Sequence, residues 1–171
     1  MLSVRSGMPL SPAERADRVV RSGIRLGVDI GSVRIGIAAS DPQGIMATPV
    51  ETVPRGQGDI VRIAQLCAER AATEVVVGLP ISLSGDEGPA ARSARHFATR
   101  LARKIAPVPV RMVDERLTTA AAWRDMRASG VSERRGRPAI DQAAAVIILQ
   151  GALDAERATG QPPGQILRVE T

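Results

Sequence analysis

Aromatic side chains are almost missing from this chain. Phe97 and Trp123 are present and tyrosine is not. A core must therefore come from Val, Ile, Leu and Ala, and a binder that stacks successive bases on rings is disfavoured. Cysteine is nearly absent too. Cys67 stands alone, which excludes an intramolecular disulfide or a thiolate metal site and fits a reducing compartment. A free, partly buried helical thiol is expected there. His96 is the only histidine and lies beside an apolar stripe rather than on it. Neither a Ser-His-Asp triad nor a His-based metal site finds support. No apolar run is long enough to span a membrane. The N-terminus carries arginines but no continuous apolar segment of the kind a secretion signal needs. The cytoplasm is the expected location. Lysine is reduced to Lys104, so the rest of the 23 basic residues are arginines, against 18 acidic ones, for a net charge of +5. Arginine's planar fork suits phosphate oxygens. A basic balance is compatible with a nucleic-acid partner and equally with a solvated arginine-rich surface.

At 171 residues the chain is expected to hold one core. Residues 1–22 read as a mobile extension, residues 23–157 as the folded domain, and residues 158–171 as a loose tail. Three strands come first, over 24–30, 33–39 and 45–53. Gly31-Ser32 signals the first hairpin, and Pro49 points to an edge or a bulge. The period then changes. Helices are expected over 59–71, from Pro89 to the Pro107-Val108-Pro109 stop, from Thr118 or Thr119 to about residue 128, and over 139–157. Apolar strands over 74–78 and 110–113 alternate with them. A meander followed by alternating helices and strands is an α/β pattern with a mixed sheet covered on both faces.

Three carboxylates sit where each needs a reason. Asp29 interrupts an apolar strand and shares a face with Gly27 and Gly31, which leaves room for an anion or an ion to approach. A turn-satisfying Asp at a hairpin end is the simpler alternative. Glu115 follows a strand on the face opposite Asp114, so one carboxylate can turn to a site while the other pairs with Arg116. Asp141 lies in register with the buried stripe Ala144, Ala145, Ile148 and Ala152. An inward carboxylate is costly unless paired or metal-bound, although a helix N-terminus also favours an Asp. Carboxylates from distant segments hold hard dications such as Mg²⁺, and paired ions of this kind serve nucleases. Arg34, Arg116, Arg124, Arg127, Arg134, Arg135 and Arg137 are candidate contacts to a nucleic-acid backbone. A solvated loop is the alternative for the cluster that precedes Asp141. The Gly78-Leu79-Pro80 turn and the Ser82–Gly88 loop read as a polar rim.

Four blocks, V-D-I-G-S-V-R-I-G-I-A-A-S-D, V-V-V-G-L-P-I-S-L-S-G-D-E-G-P, V-D-E-R-L-T-T and I-D-Q-A-A-A-V-I-I-L-Q, together resemble the YqgF/RuvX family of Holliday-junction resolvases. The resemblance runs from about Leu26 to Leu153 and omits both termini. It implies a ribonuclease-H-like fold: a five-stranded mixed sheet with the second strand antiparallel, flanked by helices. It also implies that Asp29, Glu115 and Asp141 are an acidic triad holding two Mg²⁺ or Mn²⁺ ions about 4 Å apart. The expected activity is metal-dependent endonucleolytic cleavage of branched DNA, with maturation of the 5′ end of precursor 16S rRNA as the alternative. Symmetric resolution of a junction would call for a homodimer. The family's stretch before the third acid is typically lysine-rich. Here it reads R-R-G-R-P, which keeps the charge without the lysine. Two other classes stay open: an actin-like ATPase domain, from the D-x-G hairpin, and a non-catalytic nucleic-acid module.

Overall fold

A computed structural model describes residues 21–120, 122–123 and 137–170. The three leading strands are β1 (Arg25–Ile30), β2 (Arg34–Ser40) and β3 (Ala47–Pro54). Helix α1 (Asp59–Glu69), strand β4 (Glu74–Leu79), helix α2 (Pro89–Ile105) and strand β5 (Val110–Asp114) follow. A 3₁₀ turn (Glu115–Leu117), helix α3 (Arg137–Thr159) and strand β6 (Gln165–Ile166) complete the order. The sheet runs β3-β2-β1-β4-β5-β6. Strands β1, β4 and β5 are parallel, while β2 is antiparallel to both of its neighbours. This is the expected α/β architecture with its antiparallel second strand.

Among the described residues the sheet has six strands rather than five. The additional one lies in the stretch read from sequence as a loose tail. Gln165 and Ile166 pair antiparallel with Met112 and Arg111, and the Leu167 N–H donates to Val110 O at 2.9 Å. Leu167 and Val169 pack on the core. A two-residue strand leaves too short a periodic signal to read, and Pro162-Pro163-Gly164 masks it further. Pro49 behaves as expected. It sits on edge strand β3, where the register shifts between Ile37 and Ala38.

Alternation sorts the sheet into two faces. Leu26, Val28, Ile37, Val75, Val77 and Met112 face α1 and α2 and build the larger core with Ile63, Phe97 and Leu101. Burial of each such side chain contributes about 1.5–3 kcal/mol. Val76 and Val113 face α3 and pack on Ile148, Leu149 and Leu153. Gly27 lets α3 approach: a Cβ there would stand 2.6 Å from the Leu149 Cβ. Gln150 fixes the helix laterally by accepting from the Ala47 N–H at 2.8 Å. Cys67 is a buried free thiol, and burial pushes its pKa up. His96 is exposed. Among the described residues no helix is long and apolar enough to cross a membrane.

Several expectations fall outside the described residues: the N-terminal extension up to residue 20, Arg124, Arg127, Arg134 and Arg135. Arg137 opens α3, but its side chain is likewise outside. Of the helix expected after Thr118-Thr119, residues 120, 122 and 123 are described and are helical. The Thr118 Oγ1 accepts from the Ala120 N–H at 3.2 Å, and the Trp123 N–H reaches Thr119 O at 2.9 Å.

Candidate active site

Asp29 ends the α3-facing row of β1, and two glycines flank it on the neighbouring strands. On β2 its partner is Gly36. A Cβ on Gly36 would lie 1.9 Å from the carbonyl oxygen of Asp141. That glycine is what admits the backbone of α3 at Asp141 onto the sheet beside Asp29. On the other side, β1 and β4 pair in register up to Val28 and Val77. The next residues along these strands are Asp29 and Gly78. A Cβ on Gly78 would stand 2.5 Å from Glu115 Oε1 and 2.6 Å from Ile148 Cδ1. The Glu115 carboxylate therefore lies over a position that only glycine leaves open.

Local structure aims each acid. Strand β5 stops at Asp114, whose Oδ1 accepts the Arg116 N–H at 2.9 Å. The chain turns into the 3₁₀ segment there, and Thr118 closes the turn by donating its hydroxyl to Glu115 O at 3.0 Å. Glu115 is directed to the α3 side, while Asp114 pairs with Arg116. The Arg116 guanidinium holds the Asp114 carboxyl below the usual carboxylate range. This is the division of labour the alternation of β5 predicts, and it commits Arg116 to Asp114. Asp141 lies on the buried stripe of α3. Its Oδ2 accepts from Arg34 Nε at 3.0 Å, and Arg34 remains 31% exposed.

Asp29, Glu115 and Asp141 are 1%, 2% and 3% exposed. All three lie at the carboxyl end of the parallel strands, on the α3 side, and each is engaged in hydrogen-bond or electrostatic interactions. Open α/β sheets gather ligands at that end. Among the described residues no three His, Cys, Asp or Glu side chains form a ready-made metal-holding cluster. Asp141 is turned to Arg34 instead. Carboxylate oxygen is nonetheless the donor type that a hard dication takes.

Gly78 is a buried residue of β4, within the strand expected over 74–78, and the strand runs on to Leu79, which the sequence reading gave to a turn. The alternation Glu74, Val76, Gly78 carried the strand signal. The rest of the expected rim is a closed turn of its own, with Ser82, Ser84 and Asp86 hydrogen-bonded to one another.

A second acidic group went unnoticed in the sequence. At the amino ends of the same strands, Glu74 accepts from Arg111 Nε at 3.1 Å and from Arg21 Nη1 at 3.2 Å. Glu156 of α3 accepts from Arg21 Nε at 2.6 Å and lies 3.8 Å from Arg25 Nη2. The signal was available: Arg25, Glu74 and Arg111 all occupy the first or second position of a strand, on its α3 face.

The family described as Holliday junction resolvase, RuvX, matches residues 23–155. A candidate pre-16S rRNA nuclease of Nocardioides is 58% identical over 153 residues, covering 86% of this chain and 98% of its own length. Proteins of the same name from Streptomyces coelicolor and Thermobifida fusca are 58% and 56% identical, with 88% and 86% of this chain covered and 91% and 98% of their own. Among solved structures, Thermus thermophilus RuvC in complex with Holliday junction substrate superposes with a TM-score of 0.54 at 16% identity, over 85% of this chain and 99% of that one. That likeness bears on the fold, which is the ribonuclease-H-like one the four sequence blocks imply.

Proposed function

The chain belongs to the RuvX family, and on that premise we propose that it is a divalent-metal-dependent endonuclease that matures precursor 16S rRNA, with Asp29, Glu115 and Asp141 holding the metal. Its class is nuclease, a hydrolase of phosphodiester bonds. The observation that supports the site is the pair of glycines: Gly36 and Gly78 flank Asp29, the first yielding its side-chain space to the backbone of Asp141 and the second to the Glu115 carboxylate and Ile148. Three buried carboxylates from β1, the β5 exit and α3 are expensive to keep together for packing alone. A cation shared between them offsets that cost.

The residues can do the following. Asp29 is fixed on the most central of these elements and gives the site a rigid floor. Glu115 stands on a 3₁₀ turn and can adjust without disturbing the sheet. Asp141 sits just past the first turn of α3, on its sheet-facing side, with Arg34 beside it. Arg34 neutralises Asp141 and is exposed enough to meet a phosphate oxygen. When bound, Mg²⁺ or Mn²⁺ lowers the pKa of a coordinated water and stabilises the departing oxygen.

The sequence alone puts branched DNA first. The names of relatives at 56–58% identity, matched over nearly their whole lengths, favour rRNA, and the order is reversed here. Branched DNA stays as the second reading because the family description names the Holliday junction. Paired cuts by a homodimer belong to that reading.

The test compares a precursor 16S rRNA fragment, a four-way DNA junction and a linear duplex, each in Mg²⁺, Mn²⁺ or EDTA, with the Asp29→Asn variant alongside. Metal-dependent cutting of the RNA is expected, lost in the variant while RNA binding persists. Stronger cutting of the junction would move the second reading to first place. Equal cutting by the variant would remove Asp29 from the mechanism.

A further inference from the structure

A cleft of about 560 Å³ lies on the other side of the sheet, between the start of α1 and the last turns of α2. Its rim carries Arg100, Arg103 and Lys104, all exposed. Most described arginines are committed elsewhere: Arg21, Arg25, Arg34, Arg62, Arg95, Arg111, Arg116 and Arg157 each face a carboxylate. Among the described residues, Arg100, Arg103 and Lys104 make no ion pair. A helix dipole accounts for basic residues in a last turn. It does not account for Arg100, a turn earlier, lining the same cleft.

The opposite wall is backbone. Gly56 and Gly58 adopt φ of +136° and +87°, and a Cβ on either would meet nothing within 4 Å. The turn leaves bare main chain facing the cations. The one acid on the wall, Asp59, is buried and used internally, accepting from the Gly56 N–H at 3.0 Å and the Ile60 N–H at 2.7 Å. The cleft therefore keeps a positive character.

Its position relates it to the candidate active site. Arg55, next to Gly56, ties this turn to the hairpin that follows Asp29: its N–H donates to Val33 O and its Nη1 to Gly31 O, both at 2.9 Å. The cleft and the carboxylates thus lie on opposite faces of the sheet near one hairpin. We infer that the Arg100/Arg103/Lys104 cleft is a second contact site for the phosphodiester backbone of the RNA substrate, outside the cutting site. The assignment rests on the RNA nuclease reading above. Guanidinium forks and an ammonium suit phosphate oxygens, and a bare glycine turn lets a strand lie close.

The experiment measures binding of a labelled precursor 16S rRNA fragment to Asp29→Asn protein, which leaves the RNA intact. The comparison is with the same protein carrying Arg100→Gln, Arg103→Gln and Lys104→Gln together. Affinity is read across a salt series. The triple substitution is expected to weaken binding at least about tenfold at low salt and to reduce the slope of log K against log salt by about 2, as for three lost single-strand phosphate contacts. The charge-keeping set Arg100→Lys, Arg103→Lys and Lys104→Arg is expected to retain most of the binding. Unchanged affinity and slope in the Gln variant overturn the inference. So does tight calorimetric binding of inorganic phosphate alone, which would make the cleft a small-anion site, and so does a loss confined to a DNA junction. RNA cutting by the native protein with unaltered binding in the Gln variant removes the cleft and leaves the nuclease. Weakened RNA binding with no RNA cutting by the native protein removes the nuclease and leaves the cleft.

Discussion

At the amino ends of β1, β4 and β5, Glu74 and Glu156 lie among Arg21, Arg25 and Arg111. At the carboxyl ends of the same strands, on the same face, Asp29, Glu115 and Asp141 lie among glycines, with Arg34 paired to Asp141. Both groups are buried carboxylates under one helix, α3. At the first end three arginines surround two acids, whose charge is met within the protein. At the second, Arg34 pairs with Asp141, and the room that Gly36 and Gly78 leave on the strands is taken up by the Asp141 backbone and by Glu115 with Ile148. The first group is wrapped in guanidinium; in the second, glycine lets a helix backbone and an acid pack closely on the sheet.

The sharpest way to break this contrast is to remove one acid from the glycine-flanked end. Asp29→Asn should lower the cutting rate about a thousandfold or more, as losses of central catalytic groups do, yet leave the urea midpoint close to the native one. A variant that unfolds easily but still cuts would invert the comparison. Next in size is Arg111→Ala at the other end. Breaking a buried pair from one side costs about 3–5 kcal/mol, so the urea midpoint should fall sharply, while the folded fraction still cuts at the native rate. Gly78→Ala tests the close packing itself. Its methyl would press on Glu115 Oε1 and Ile148, and a drop of about 10–100-fold in metal affinity or rate is expected, in the range of support-residue losses around metals. Arg34→Ala should have a smaller effect of opposite sign. Freed from its guanidinium, Asp141 should let Mn²⁺ bind a few-fold more tightly by calorimetry. Weaker Mn²⁺ binding would make Arg34 a support rather than a competitor.

The smallest effect concerns acid. Burial pushes the Glu74 carboxyl up, but the hydrogen bonds and charges of Arg21 and Arg111 outweigh burial and hold it below the ordinary glutamate range. Its contribution is therefore fully present above the unfolded value and lost as the pH falls through the lower folded one. Glu74→Gln should be less stable at neutral pH and should show a flatter loss of stability below about pH 4.5 than the native protein. An unchanged acid limb would mean that other carboxylates set it.

The strands and the acids were legible because their signals are local. Alternation along β1 and β5 assigned Asp29 and Glu115 to one face before any pairing was known, and the 3.6-residue stripe of α3 did the same for Asp141. What stayed hidden depends on pairing. Gly78 reads from sequence as the last residue of a strand before Leu79-Pro80, and nothing local reports that Glu115 will lie over it. The Arg21–Glu156 pair spans 135 positions, far beyond any sequence window. Strand β6 was hidden by its own brevity. The arginines before Asp141 are plain in the sequence but fall outside the described residues.

The borders of the sheet carry one more consequence. Strand β3, on one border, has Pro49 and Pro54 and a register shift. On the other, the five-residue strand β5 is flanked by the two residues of β6. Neither margin offers a long run of unsatisfied amides, so this protein is poorly suited to recruiting another copy by extending its sheet. Two copies acting together would have to meet through helices or loops, leaving the hydrogen-bonded ladder of each complete in itself.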